Sequence, residues 1–296
     1  MESLFNTSKN KNLIFDIGLH KGEDTEFYLL KGFDVVAFEA SPELASACSE
    51  KFRKYIDSRQ LTIIEGAIIE PADIAKGMDT VSFYVNDDIS VWGTVNKEWS
   101  DRNERLGTTS RKITVDAVNL IDVIKRVGVP HFMKIDIEGS DLICIESLQF
   151  FKEKPDYISI ESDKTSISNI SKEIGLLVSL GYDGFKAVEQ YTIPNIQVPP
   201  IKPLEGVYVK HSFKEGSSGL FGAELPGSWK SSKKIINQYR MIHIAYYLLG
   251  DDGVMTNWKF IGAWIPRLIA RSILGLFTRS SFPCWYDTHA SYSEKN

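Results

Sequence analysis

Apolar and polar positions alternate in blocks along the first two thirds of the chain. Short apolar runs rich in β-branched residues alternate with stretches of helical spacing. The runs NLIFDI (12–17), DVVAFE (34–39) and LTIIEGAI (61–68) predict buried parallel strands. Residues 24–31 carry helical spacing, with Asp24 as candidate N-cap and Gly32 as stop. Ser41-Pro42 opens a helix over 42–57, with proline in its first turn. Three βα steps in succession predict a parallel sheet with right-handed crossovers. VSFYVN (81–86) predicts another strand, and the polar stretch 87–112 a loop over the site. Beyond it, 113–128 predicts a strand then a helix, 131–139 a buried strand, 140–151 a helix, 155–162 a strand, 167–180 a helix and 183–194 a closing hairpin. After residue 195 proline and glycine cluster, and an aromatic, basic, helical stretch follows. The organisation expected is a tail at 1–11, an α/β domain at 12–195 and an extension at 196–296 that binds an acceptor or forms a homo-oligomer.

Composition narrows the partners. A chain of 296 residues can bury a full core. A net charge of −5 argues against a nucleic-acid substrate, because backbone binding needs clustered Lys and Arg. Cys48, Cys144 and Cys284 are odd in number and far apart, which fits reduced thiols in a cytoplasmic protein. The N-terminus has no apolar run of the signal-peptide kind. The segment 258–277 is long enough to span a bilayer, but Lys259, Pro266, Arg267 and Arg271 interrupt it. It reads as a buried or interfacial helix, allowing surface association but no membrane span.

Ligands of open α/β sheets bind outside the carboxyl ends of the strands, at the topological switch point. The first run ends in Asp16-Ile17-Gly18-Leu19-His20-Lys21-Gly22, followed by Asp24. This is not the G-x-G-x-x-G fingerprint that cradles a pyrophosphate, which speaks against a nicotinamide enzyme. An acid two residues before the first glycine suits a cationic ligand portion, such as an amino or sulfonium group. Glu39, followed by Ala40, ends the second run about 20 residues after the glycine loop, where a carboxylate accepts from ribose hydroxyls. Glu65, Gly66 and Ala67 end the third, where an adenine ring fits beside small residues. Alternation places Lys134, Asp136 and Glu138 on one strand face, a costly arrangement unless it opens on a polar site. Glu161 ends the next strand, with Asp163 close behind. Asp136 and Glu161 would then be neighbours, fit for a general base or, with Asp163, for a divalent cation such as Mg²⁺. No dedicated metal-ligand spacing is visible.

Together these segments resemble the FkbM family of methyltransferases from about residue 12 to 195. The resemblance rests on FDIGLHKGEDTEFY, VVAFEASP, IEGAI, VSFYVN and, most specifically, MKIDIEGSD. SGLFGAELPGSW (218–229) and WYDTHA (285–290) resemble the ends of a glycan-cluster subgroup. The resemblance implies a Rossmann-like methyltransferase fold, a mostly parallel seven-stranded sheet flanked by helices, here with a helical, aromatic C-terminal extension. It implies S-adenosylmethionine as donor and O-methylation of a sugar or glycan hydroxyl, on an acceptor that could be nucleotide- or lipid-linked. By motif position Asp16, Gly18 and Gly22 fall at the methionine end of the donor, with His20 and Asp24 in the same loop. Glu39 and Ala40 fall at its ribose, and Glu65, Gly66 and Ala67 at its adenine. Lys134, Asp136 and Glu138 fall beside the transferring methyl. Asp136, Glu161 and His289 are the candidate bases, assisted by Lys134 or a cation. Leu19-His20 departs from the family, where a small residue and often asparagine are common. Trp229, Trp258, Trp264 and Trp285 offer faces on which sugar rings stack. A peptide or small-metabolite acceptor, or a binding module that has lost catalysis, are the alternatives.

Overall fold

The apolar runs become one sheet. The structure, a computed structural model, describes residues 4–162, 166–198, 202–249, 254–255 and 285–293. Its strands are β1 (Lys9–Ile17), β2 (Asp34–Glu39), β3 (Leu61–Glu65), β4 (Ala67–Ile68), β5 (Thr80–Asn86), β6 (Ser110–Val118), β7 (Val129–Ile135), β8 (Tyr157–Glu161), β9 (Tyr182–Glu189) and β10 (Tyr286–Tyr292). The helices are α1 (Glu23–Leu30), α2 (Pro42–Lys51), α3 (Arg53–Asp57), α4 (Pro71–Ala75), α5 (Lys97–Arg105), α6 (Leu120–Val127), α7 (Asp141–Ser147), α8 (Ile167–Ser179) and α9 (Ser232–Leu249). Seven strands lie in the order β3-β2-β1-β7-β8-β10-β9. The pairings from β3 to β8 are parallel, and β10 runs antiparallel to both β8 and β9. This is the mostly parallel, Rossmann-like sheet expected, and its order reverses between β1 and β7.

Each sheet face has its own core. Phe15, Phe38, Met133 and Ile160 pack with residues of α6, α7, α8 and α9. Ile14, Phe27, Tyr28 and Phe132 pack on the opposite face with Phe213, Phe221 and Leu225. The rings of Phe132 and Phe221 stack at 4.7 Å. The boundary expected at 195 therefore divides the chain but not the sheet. Residues 213–225 cover one face, and β10 is inserted between two strands. The expected tail is likewise tied down, since β1 starts at Lys9 and Phe5 exchanges backbone hydrogen bonds with Phe150 and Lys152.

Other differences have local causes. The run 61–68 breaks at Gly66, whose φ is 137° and whose N–H donates to the Glu39 carbonyl. Its second half leaves for a small sheet of order β4-β6-β5. The helix expected over 42–57 breaks at Phe52. The polar stretch 87–112 contains α5, whose N-cap Asn96 accepts from the N–H groups of Glu98 and Trp99 at 2.8 and 3.3 Å. The hairpin expected at 183–194 does not form, because β9 pairs with β10, almost a hundred residues later. The segment 258–277 lies outside the described residues. Among the described residues no helix is long and apolar enough to cross a membrane.

Candidate active site

At the reversal point, outside the carboxyl ends of β1, β2 and β7, lies a cavity of about 400 Å³. That size suits a nucleoside-bearing ligand. Gly18 forms its floor, with φ at 91°. A Cβ there would fall on the carbonyl oxygen of Asp136, so the two loops meet only because this position has no side chain. Gly22, with φ at 72°, caps α1 and packs against the Phe52 ring rather than lining the cavity. Asp24 is thus not the N-cap. It sits in the first turn, and its carboxylate accepts from the Ser218 N–H at 2.9 and 3.1 Å.

The wall at β2 is Glu39. One carboxylate oxygen accepts from the His20 N–H and the other from the Ser41 N–H, both at 2.8 Å. These bonds fix the group, and its remaining lone pairs are available to a ligand's hydroxyls. Burial raises its pKa against the pull of those amides. Ala40 and Gly66 continue this wall toward an apolar end made by Ala67, Ile68, Phe83, Val85 and Val95. Glu65 is exposed and does not line the cavity. The stretch after β5 closes over the top. Ser90 Oγ lies 2.8 Å from His20 Nε2, and Thr94 Oγ1 donates to the Glu138 carbonyl at 2.8 Å.

The third wall is the strand-end cluster. β7 stops at Ile135, so Lys134 is the last of its charged residues within the strand, and Asp136 and Glu138 occupy the loop beyond. All three still line the cavity. The Lys134 ammonium donates to the Gly18 carbonyl at 3.1 Å. It also lies 3.4 Å from Asp136, 3.5 Å from Asp16 and 3.7 Å from Asp24. Burial alone would lower its pKa, but the carboxylates of Asp136, Asp16, Asp24 and Asp287 hold it well above the usual lysine value. Asp16 is sealed beneath the floor and accepts from Thr25 Oγ1 at 2.6 Å. Burial raises its pKa against the pull of Lys134 and Thr25. Asp136 has a side chain 41% exposed, open to an incoming reactant.

Two expected bases behave differently from expectation. Glu161 does not line the cavity. Burial, with Asp136, Glu138 and Asp287 nearby, pushes its pKa up to about 10, so it stands protonated at neutral pH. His289 is 1% exposed, and its ring stacks on Phe132 at 6.4 Å. Burial and Lys186 push its pKa down to about 3. It lies away from the cavity and is no base for it. Asp163 lies outside the described residues. Among the described residues no group of three or more His, Cys, Asp or Glu side chains is arranged to hold a metal ion.

Sequence reasoning missed Asp287 and Ser218. Asp287 is buried, pairs across strands with Glu161, and accepts from Ser159 Oγ at 3.4 Å. Burial and Asp136 raise its pKa to about 8, opposed by Lys134 and the Ser218 hydroxyl. The available signal was alternation: Asp287 shares a strand face with the singled-out His289. Trp285, just before β10, is 56% exposed. Trp229 instead stacks on Tyr157 at 5.9 Å beneath Lys186 and is no open platform. Trp258 and Trp264 lie outside the described residues.

The donor set fits S-adenosylmethionine. Glu39 suits the ribose, the Ala67–Phe83 end suits the adenine, and an acid-rich floor cradled by Gly18 suits the positively charged methionine end. A family model described as the methyltransferase FkbM domain matches residues 16–191. No curated protein matches the chain. Among solved structures, precorrin-6Y C5,15-methyltransferase from Geobacter metallireducens is 13% identical, with 62% of this chain and 69% of that chain covered and a TM-score of 0.32. The C-terminal domain of the Rhodobacter capsulatus precorrin-6Y C5,15-methyltransferase is 12% identical, covering 69% and 77%, with a TM-score of 0.34. A SAM-dependent methyltransferase from Thiobacillus denitrificans in complex with S-adenosyl-L-homocysteine is 10% identical, covering 97% and 87%, with a TM-score of 0.33. Likenesses this distant carry no weight for donor or substrate.

Proposed function

The chain belongs to the FkbM family of S-adenosylmethionine-dependent methyltransferases, and from that premise we propose that it methylates a hydroxyl of a sugar or glycan, in the cytoplasm. One observation carries the chemistry. The Gly18 loop, Glu39 and Asp136 converge on one cavity at the switch point, with Lys134 beneath them. Bound S-adenosylmethionine would supply a methyl group on a positively charged sulfur, which keeps the electron pair of the breaking C–S bond and departs as a neutral thioether.

The chain's own residues supply position and proton transfer. Glu39, Gly18 and the apolar end hold the donor in one orientation, which removes much of the entropic barrier. Asp136 is the carboxylate exposed to the cavity, and it accepts the acceptor's hydroxyl proton as the new C–O bond forms. Lys134, held protonated, cannot act as a base. Its ammonium steadies negative charge on Asp136 and on the reacting oxygen. The lid over 87–96 limits water at the reacting atoms. Trp285 supports a sugar acceptor, because it presents an exposed indole at the same end of the sheet.

The test pairs labelled methyl transfer to a panel of sugar acceptors with the variant Asp136→Asn. Turnover should fall at least about 100-fold, the scale of a lost general base, while donor binding by calorimetry persists. Transfer to peptides or small metabolites in preference to sugars would replace the acceptor assignment. Unchanged turnover in Asp136→Asn would remove it as the base.

A further inference from the structure

We propose that Thr94 is a positioning residue of methyl transfer: its buried hydroxyl, reaching down from the lid, holds the backbone of the loop that carries Asp136 and so sets where the base stands. The inference rests on the reading of Asp136 as base and adds to it the residue that places it.

The loop between β7 and α7 needs holding. Residues 136–140 lie after the end of β7 at Ile135 and before the start of α7 at Asp141, outside both ladders. Glu138 and Gly139 have φ of 20° and 88°. A residue with a side chain keeps a positive φ only where its surroundings hold it there. The two ends of the loop are tied to the floor and to α7. The Asp136 N–H donates to the Ile17 carbonyl at 2.9 Å, and the Ile137 N–H donates to the Asp141 carboxylate at 3.0 Å. The middle is tied to the lid. Thr94 Oγ1 donates to the Glu138 carbonyl at 2.8 Å, across 44 positions of sequence. Trp99 of α5 lies against Gly139, where a Cβ would meet the indole at 3.2 Å.

Thr94 is itself fixed. It is 2% exposed. Its backbone N–H donates to the Tyr84 carbonyl at 3.1 Å and its carbonyl accepts from the Tyr84 N–H at 2.8 Å, which joins it to β5. Its hydroxyl accepts from the Asn96 N–H at 3.0 Å. A hydroxyl has one proton to donate, and with an N–H facing its lone pair that proton is directed to Glu138. Asn96 in turn caps α5. One side chain thus joins the small sheet, α5 and the loop of the base.

The position of Asp136 depends on that loop. Its side chain is 41% exposed, so it follows its backbone rather than a packed environment. A general base must stand within hydrogen-bond reach of the acceptor's proton, and a misplacement of about 1 Å costs as much as about 100-fold in rate. Glu39 and Gly18 hold the donor from β2 and the loop after β1. Loss of the Thr94 hydroxyl therefore falls on turnover more than on donor binding. The link from Ser90 to His20 is of another kind, because it reaches the cofactor loop and not the loop of the base.

Two variants of the full chain test this. Thr94→Val keeps the shape and removes the hydroxyl, and Thr94→Ser returns it. With a sugar acceptor and saturating S-adenosylmethionine, kcat of Thr94→Val should fall about tenfold or more, and Thr94→Ser should stay within about threefold of wild type. Donor Kd by calorimetry should change less than about threefold in both. Hydrogen exchange without donor reads the same link independently of any acceptor. In Thr94→Val the peptide over 136–141 should exchange faster together with that over 93–97. Unchanged kcat, a loss that serine does not restore, a loss of donor affinity at unchanged saturated kcat, or faster exchange confined to the lid each overturns the inference. Normal turnover in Asp136→Asn instead overturns the base itself. If wild type methylates no sugar, the acceptor assignment falls and exchange alone decides the role of Thr94. If Thr94→Val does not fold by circular dichroism, wild-type exchange decides it: donor binding should slow both peptides together, and slowing of only one overturns the link.

Discussion

The two ends of the sheet bury charge in opposite ways. At the amino end His131, Lys9 and Lys31 each meet a carboxylate. His131 lies between Asp156 and Glu205, with ring nitrogens 2.7 and 2.8 Å from the two carboxylates. Lys9 adds a second cation to Asp156, and the fully buried Lys31 meets Glu224 at 2.9 Å and the Val207 carbonyl at 3.3 Å. These pairs fasten the segment carrying Glu205 and Glu224 against β7 and α1. At the carboxyl end, among the described residues, Lys134 is the cation that faces Asp16, Asp24, Asp136 and Asp287. Balanced burial makes a latch, while at the carboxyl end acid is in excess of the described cation. The same residue types serve both ends, and the ratio of opposite charges separates them.

The comparison breaks most visibly at Lys134. Replacing it with methionine leaves the carboxylates without a cation, and stability at pH 7 should fall by about 3–5 kcal/mol, the usual scale for a broken buried network. The loss should shrink at pH 5, where carboxyls raised to about 7 and about 8 are neutral in the folded state. Urea unfolding at the two pH values measures this, and an equal loss at both would mean that the site is not short of positive charge.

The latch at the amino end should respond to pH with the opposite sign. Burial opposes protonation of His131, yet the carboxylates of Asp156 and Glu205 raise its pKa from 6.5 to about 9. Its contribution is therefore complete below about 6.5 and is lost as pH climbs through about 9. On the acid side, His131 and Lys9 hold Asp156 below its ordinary value despite burial, so that share of stability is lost only as pH falls through its lowered pKa. Comparing urea midpoints of wild type and His131→Gln from pH 6 to 10 should give a difference of about 1–3 kcal/mol near neutrality that closes toward pH 10. Donor affinity should not change.

The smallest effect belongs to the lid. His20→Asn keeps a residue that tolerates the φ of 49° at this position but cannot reproduce the ring's reach to Ser90. Donor binding should weaken about two- to fivefold, the value of one partly exposed hydrogen bond. A larger loss would mean that His20 touches the donor itself.

The alternation of strands and helices was legible because each βα unit buries its own apolar face. For the same reason Gly18, Glu39 and Asp136 could be named as site residues before any coordinates, since open α/β sheets bind ligands where their strands end. Helix α5 escaped notice because Lys97–Arg105 carries a single large apolar residue, Trp99, and is settled by its Asn96 cap and by packing on Gly139. β10 is a run of alternating residues whose partners lie far away in the chain. No local pattern says that it will enter the sheet backwards between β8 and β9. That register decides which side chain joins the charges round Lys134: Asp287 pairs with Glu161 at the carboxyl end, and His289 pairs with Ser159 one pleat deeper.

By itself the sequence determined the family, the parallel sheet and the residues at three strand ends, because these follow from local periodicity and short-range motifs. Only the tertiary structure decided that β10 enters the sheet between β8 and β9, that Ser218 and Asp287 join the buried charges behind the cavity, and that His289 is buried away from it. Those outcomes depend on long-range register and on the balance of charges brought together from separate segments, and neither is encoded in any short stretch of the chain.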